Sequence, residues 1–156
     1  MIDLYALAPE FPGTTAAEPF RARPYDRIAA LEHSFAEDIA DKRFIPYIQL
    51  HEFEACLFAD PAQLQEFFDC SPSSLRQLAR IAESTPPELI DDGQHTAPSK
   101  RIIGEIPEYE GAKSTAGPLI AEAIGISRIR EQCPHFNAWL SRLEGLAEQA
   151  DIGSCP

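Results

Sequence analysis

Residues 44–50, Phe-Ile-Pro-Tyr-Ile-Gln-Leu, form a near-continuous apolar run that ends abruptly in His51, Glu52 and Glu54. Such a run fits a strand covered on both faces, the kind found in parallel sheets. Upstream, Ile28, Leu31, Phe35 and Ile39 recur at three- and four-residue steps, which predicts an amphipathic helix over Tyr25–Ala40. Before that helix, Met1–Leu7 reads as a first strand. Strand, helix, strand is a βαβ pattern, and it favours a parallel pair with a right-handed crossover. The second strand is expected over Arg43–Leu50, with Pro46 marking an edge or a strand start. Ligands of open α/β sheets gather outside the carboxyl ends of the strands, so His51, Glu52 and Glu54 stand where function is expected.

The rest of the chain reads as one long loop and a run of helices. Pro9, Pro12, Gly13, Pro19 and Pro24 break both helix and strand, which makes residues 8–24 a surface loop. After Leu50 the period becomes helical at Phe53, Cys56 and Leu57. Asp60-Pro61 and Ser71-Pro72 then open two further helices. Pro86-Pro87 and Asp91-Asp92-Gly93 bracket a turn-rich connection, and Pro98 falls in the first turn of a short helix through Ile103. A helix over Gly117–Ile124 is closed by Gly125, Ser127 caps a short one that Pro134 ends, and a last helix presents Phe136, Trp139, Leu140, Leu143 and Leu146 on one face. The expected fold class is α/β: a small, mostly parallel sheet with a βαβ start, followed by a helical C-terminal half. One domain is expected over 1–150, with a frayed tail at 151–156.

Composition narrows the function classes. At 156 residues the chain can bury about two-thirds of its unfolded surface in a single core. Its net charge of −12 argues against holding nucleic acid by general electrostatics, so a nucleic acid or nucleotide substrate would have to be bound locally. Cys56, Cys70, Cys133 and Cys155 form no CxxC pair and match neither a zinc ribbon nor a secreted disulfide framework, which points to a reducing cytoplasm. No apolar run approaches the roughly twenty residues of a membrane span, so no membrane partner is expected.

Several arrangements are excluded. His51-Glu52 begins like a zinc-protease HExxH, but residue 55 is Ala, so the second ligand is missing. GxxxxGK[ST], GxGxxG and GxSxG are all absent. What remains is acidic. A βαβ unit would carry Asp3, at the first strand, to the same sheet rim as Glu52 and Glu54. Carboxylates there suit magnesium or manganese, hard cations with oxygen ligands and retained waters. If residues 51–58 are helical, His51 and Glu54 share a face while Glu52 points elsewhere, which favours Glu54 over Glu52 as a ligand. Acids in a first helical turn are also stabilised by the helix dipole with no metal involved, and His51 also suits a capping or packed histidine. A second candidate segment holds Thr96, Ser99, Lys100 and Arg101, whose hydroxyls and cations at a helix start would suit a phosphate. The same residues also suit an ordinary cap with solvated charges. Arg128 and Arg130 read as surface charges, and His135 with Trp139, four apart, as packing residues.

The segments IDLYALAPEFPG, RFIPYIQLHEFEACLFADP, IDDGQHTAPSKRI, GPLIAEAIG and CPHFNAWLSRLE, in that order, resemble the bacterial family called domain of unknown function 4276. That family is considered similar to the TOPRIM fold, and its members are often encoded beside an ABC- or AAA-type ATPase. The resemblance implies a magnesium-dependent phosphodiesterase or nuclease of an ATPase-associated, defence-type system. Asp3 and Glu54 would hold the metal, with Glu52 as second choice, and Asp3 matches the family's second-strand acid. His51, Glu52 and Glu54 are the catalytic candidates, His51 as the residue that orients a water. Thr96, Ser99, Lys100 and Arg101 would contact the substrate. The resemblance also implies an upstream strand ending in Glu-Gly, which this chain would supply only from before Met1. A shortened, inactive form is therefore one expectation. The alternative is a non-catalytic acidic subunit that docks on a partner ATPase.

Overall fold

A computed structural model describes residues 2–90, 93 and 95–152, with side chains through Leu146. Strand β1 (Ile2–Asp3) runs parallel to β2 (Ile48–Gln49), in the register Ile2 to Ile48 and Asp3 to Gln49. Between them lie the short α1 (Thr14–Ala17) and the long α2 (Pro24–Ile39), which complete the expected βαβ start. Helices α3 (Pro72–Ser84), α4 (Pro98–Glu105), α5 (Tyr109–Ile124), α6 (Ile126–Gln132) and α7 (Pro134–Ile152) build the C-terminal half.

Both strands are shorter than the apolar pattern predicts. After Asp3 the chain turns into a 3-10 segment, Leu4–Ala6, so β2 has only two residues to pair with. At the other end a tight turn joins the Phe44 N–H to the Asp41 carbonyl, and Arg43 folds back on Asp41 with an Nη2–Oδ2 distance of 2.6 Å. Phe44 packs edge-on against Phe35 of α2 instead of extending the sheet. The apolar run is nevertheless buried from Pro46 to Leu50, so its hydrophobicity reports burial more than strand length.

The segments after β2 also differ from the expected α-helices. Phe53–Ala59 and Pro61–Glu66 are 3-10 turns, and residues 55–59 of the first are all buried, so it serves as a central peg. Helix α5 begins eight residues before the predicted Gly117 and runs through Pro118. Proline removes one intrahelical bond at that point. Pro118 and Ser114, four residues earlier, are both exposed, so solvent can meet the carbonyl left without a donor. Gly125, not Ser127, is the N-cap of α6, while Ser71 caps α3 as read, its hydroxyl accepting the Ser74 N–H at 3.1 Å. Residues 91 and 92 of the expected turn, and 153–156 of the expected tail, lie outside the described residues.

Two apolar clusters hold the molecule. The smaller joins Ala17, Ile28, Leu31, Ile48 and Leu50, with Leu4, Leu7 and Phe11 packed on it. The larger surrounds the 56–59 peg with Leu64, Leu78, Ile90, Ile102, Tyr109, Ile120 and Ile129. Full burial of each such Leu or Ile contributes about 1.5–3 kcal/mol, so the larger cluster dominates stability. Residues 51–54 cross from one cluster to the other, which gives the acidic segment a rigid support on both sides. No described helix is long and apolar enough to cross a membrane.

Candidate functional site

Asp3 ends β1, and Glu52 and Glu54 follow β2, so the parallel register delivers all three carboxylates to one region. Asp3 feels Glu52, and Glu54 feels both. Burial pushes the Asp3 carboxyl above its ordinary value and the Glu52 charge pushes further, against an opposing hydrogen bond from Tyr5. Glu54 is also raised, first by burial and then by Glu52 and Asp3, against its own backbone hydrogen bond and the Lys113 charge. Two aromatic hydroxyls register the same field. Burial, followed by Asp3, Glu52 and Glu54, raises Tyr5, and burial, followed by Glu54 and Glu52, raises Tyr109.

The local backbone explains how each acid is held. Glu52 is extended, at φ −118° and ψ 157°, and forms the N-cap of the 53–59 turn. Its Oε2 accepts the Ser99 N–H at 2.8 Å, which seats a carboxylate on the N-terminal end of α4, where free N–H groups favour an anion. Glu54 lies one residue into the 3-10 turn, with its side chain 14% exposed and Lys113 Nζ 3.9 Å from its Oε1. Tyr109 and Lys113 are four apart on α5 and therefore share the face that meets Glu54. Around the acids two buried polar atoms, Ser99 Oγ and Tyr109 Oη, have no hydrogen-bond partner within range. The Tyr109 hydroxyl lies close enough to Glu54 to be raised by its charge.

The two candidate segments thus meet, but through Ser99 and not through the cations. Ser99 is buried, 1% exposed, and it binds Glu52 through its backbone. Arg101 folds back so that its Nε donates to the Thr96 carbonyl at 2.6 Å, while Lys100 is exposed and Thr96 half-buried. His51 is half-buried beside Glu52. Sequence spacing missed Tyr5, Tyr109 and Lys113. The last two were within reach, because a helix extended through Pro118 would have placed them on one face.

Divalent-cation chemistry can be tested against this donor set. Among the described residues no three His, Cys, Asp or Glu side chains converge into a metal-holding group. A closed protein cage therefore does not fit. The hard carboxylate oxygens, their mutual repulsion and the two unpartnered buried hydroxyls do fit a cation that keeps most of its water and takes one or two carboxylates directly. Asp3 and Glu54 are the direct candidates, because one Glu52 oxygen is already engaged by Ser99.

A second polar constellation was not legible beforehand. Glu88, 0% exposed, accepts the N–H groups of His135 at 2.9 Å and Phe136 at 2.8 Å, capping the start of α7, and the Tyr25 hydroxyl donates to it at 3.4 Å. His135 Nε2 lies 3.1 Å from Glu32 Oε1, which also accepts the Ile48 N–H at 2.8 Å. Tyr47 stacks on the His135 ring, with centroids 5.0 Å apart, and its hydroxyl donates to Gln49 at 2.6 Å. This network ties α7 to α2 and β2. His135 and Trp139 therefore do pack, as their spacing suggested, but His135 also meets Glu32 in a half-buried contact that becomes an ion pair when the ring is protonated. Arg130, read as a surface charge, instead reaches Asn137, Ser141 and Glu144 and fastens α6 to α7.

No curated protein and no solved structure matches the chain. The family model described as Domain of unknown function (DUF4276) matches residues 1–144, and the chain belongs to that family.

Proposed function

We propose that the rim formed by Asp3, Glu52 and Glu54 binds magnesium or manganese and that the protein hydrolyses phosphodiesters of a polynucleotide or a small nucleotide. The observation that carries this reading is the placing of three half-buried carboxylates in one region at the carboxyl ends of a parallel pair, with Asp3 and Glu54 both raised by burial and by neighbouring acidic charge. A bound divalent cation would supply an activated water and neutralise charge on the phosphoryl oxygens. Asp3 and Glu54 would ligate the cation, and the remaining Glu52 oxygen would hold one of its waters. His51 would orient the attacking water, and Lys113 would stand close enough to steady a phosphate. Lys100, Arg101 and Thr96 would contact the more distant part of a bound chain. Unbridged Cys56 and Cys133, both buried, are in keeping with a cytoplasmic setting. The family resemblance extends the proposal to an ABC- or AAA-type ATPase partner in a defence-type system.

The test is cleavage of DNA, RNA and a chromogenic phosphodiester by the full chain with added manganese or magnesium. Activity abolished by Asp3→Asn and Glu54→Gln supports the reading. Cleavage that survives both substitutions, or the absence of metal-dependent cleavage of any substrate, sinks it.

A second reading is favoured by the existing partners of two acids, the Ser99 N–H on Glu52 and Lys113 beside Glu54. These contacts let the rim persist without a cation, as a non-catalytic acidic surface docked on an ATPase would require. Co-purification with the neighbouring ATPase, undiminished by Asp3→Asn and without divalent-ion binding, would select this reading over the first.

A further inference from the structure

Arg27 carries a charge that the fold does not answer. In a chain with 25 acidic and 13 basic residues, a half-buried arginine would ordinarily meet a carboxylate. Arg27 Nε is buried without an acceptor, and among the described residues its side chain has no ion pair or hydrogen bond. The other half-buried cations differ: Arg101 binds the Thr96 carbonyl, Lys113 lies near Glu54, and Arg130 binds Asn137 and Glu144. The Nη groups reach solvent, so the charge itself is hydrated, but a buried Nε–H without an acceptor is costly, and an anionic oxygen in the adjoining space would supply that acceptor.

The surroundings define what would compensate it. Arg27 lines a cleft of about 220 Å³ between α1, α2 and the 4–9 segment. Leu4, Leu7, Ala17 and Leu31 make its apolar walls, and Thr14 and Glu18 stand at its polar side. Glu18 is 3.4 Å from Arg21, and the Thr14 hydroxyl makes only a 3.3 Å bond to the Pro9 carbonyl. The guanidinium fork matches a carboxylate or a phosphate, which accepts two parallel N–H bonds. The net charge of −12 disfavours a polyanion, and the accessible lining of the cleft is more polar than apolar, which favours a small hydrophilic ligand. We propose that this cleft is a binding site for a small, singly substituted oxyanion, a carboxylate or phosphate monoester, with Arg27 and Thr14 holding the anionic group. This site is separate from the acidic rim and does not depend on a cation there.

The experiment is a titration of the full chain, followed by amide NMR and calorimetry, with benzoate, phenyl phosphate and neutral benzyl alcohol as probes. Saturable binding that shifts the amides of residues 14–18 and 27, and that weakens at least about tenfold in Arg27→Met, is expected, because one charge-assisted contact is lost. Preference for benzoate or for phenyl phosphate identifies the anionic group. Arg27→Met should melt no lower than the parent chain, since it removes an unpaired buried N–H and keeps the alkyl stem. Equal binding by Arg27→Met, equal binding of benzyl alcohol, or no saturable binding at millimolar probe would overturn the assignment. A marked loss of stability in Arg27→Met would also overturn it, by revealing an internal partner.

Discussion

Replacing Glu88 removes the only side chain that meets the first free N–H groups of α7 among the described residues. Its two oxygens accept from His135 and Phe136 at 2.9 and 2.8 Å within a fully buried site. Hydrogen bonds to a charged group contribute about 1.5–3 kcal/mol each, and a carboxylate at a helix start adds up to about 2 kcal/mol through the dipole. Against this stands several kcal/mol for burying the carboxylate, which also raises its pKa. In Glu88→Ala the desolvation cost disappears, but two N–H groups are left without an acceptor at about 1–3 kcal/mol each, and a cavity opens. The expected net loss is about 3–5 kcal/mol, a large part of a total stability of order 5–15 kcal/mol. Glu88→Leu should not recover it, because filling the cavity leaves the same donors bare. Urea unfolding followed by the fluorescence of Trp139 provides the assay. This is the single tryptophan, and its ring lies 4.8 Å from Tyr47, so it reports directly on the seating of α7. A loss below about 1 kcal/mol in Glu88→Ala, or recovery in Glu88→Leu, would refute the capping role.

Three further outcomes follow from the same structure. Asp3, Glu54 and Glu88 all have raised pKa values, so the fold holds each one better protonated than ionised, and stability rises as pH falls through the folded value toward 3.8 or 4.5. His135 is opposed by burial but raised overall by Glu32, so its contribution is full below 6.5 and lost as pH rises through its folded value. The four effects share a sign, and because the His135 part begins to be lost above 6.5, urea midpoints should be higher near about pH 6 than near about pH 8, with a smaller difference in Glu32→Gln. Gly13 has φ +85° and a Cβ there would lie 2.5 Å from Ser34 Cβ, so Gly13→Ala should cost about 2–4 kcal/mol by thermal melting. Gly104→Ala, with open space around its α4 position, should instead raise the melting temperature slightly.

Local signals carried most of the architecture. Ser71-Pro72 announced α3 because a hydroxyl cap and a first-turn proline act over a few residues, and Gly125 marked the end of α5 for the same reason. The apolar run before His51 located the buried crossing but not the strand length, since pairing ends where β1 turns away at Leu4. Pro118 concealed half of α5, because exposure of the interrupted turn is a tertiary fact. Of the candidate site, the grouping of Asp3, Glu52 and Glu54 was legible from the βαβ order. The Ser99 contact to Glu52 spans 47 residues, and Glu32 meets His135 across 103, so no spacing rule could have exposed either. Arg27 falls within the predicted Tyr25–Ala40 helix, and nothing in the spacing there marks an Nε without an acceptor, which only the packed fold shows.

The most direct test of the central claim is a calorimetric titration of the intact chain with manganese, beside Asp3→Asn and Glu54→Gln. The account predicts one saturable site in the parent chain, weakened at least about tenfold by either substitution, since each removes a carboxylate from the cation's surroundings. Absence of saturable heat in the parent chain, or equal binding in both variants, would contradict it.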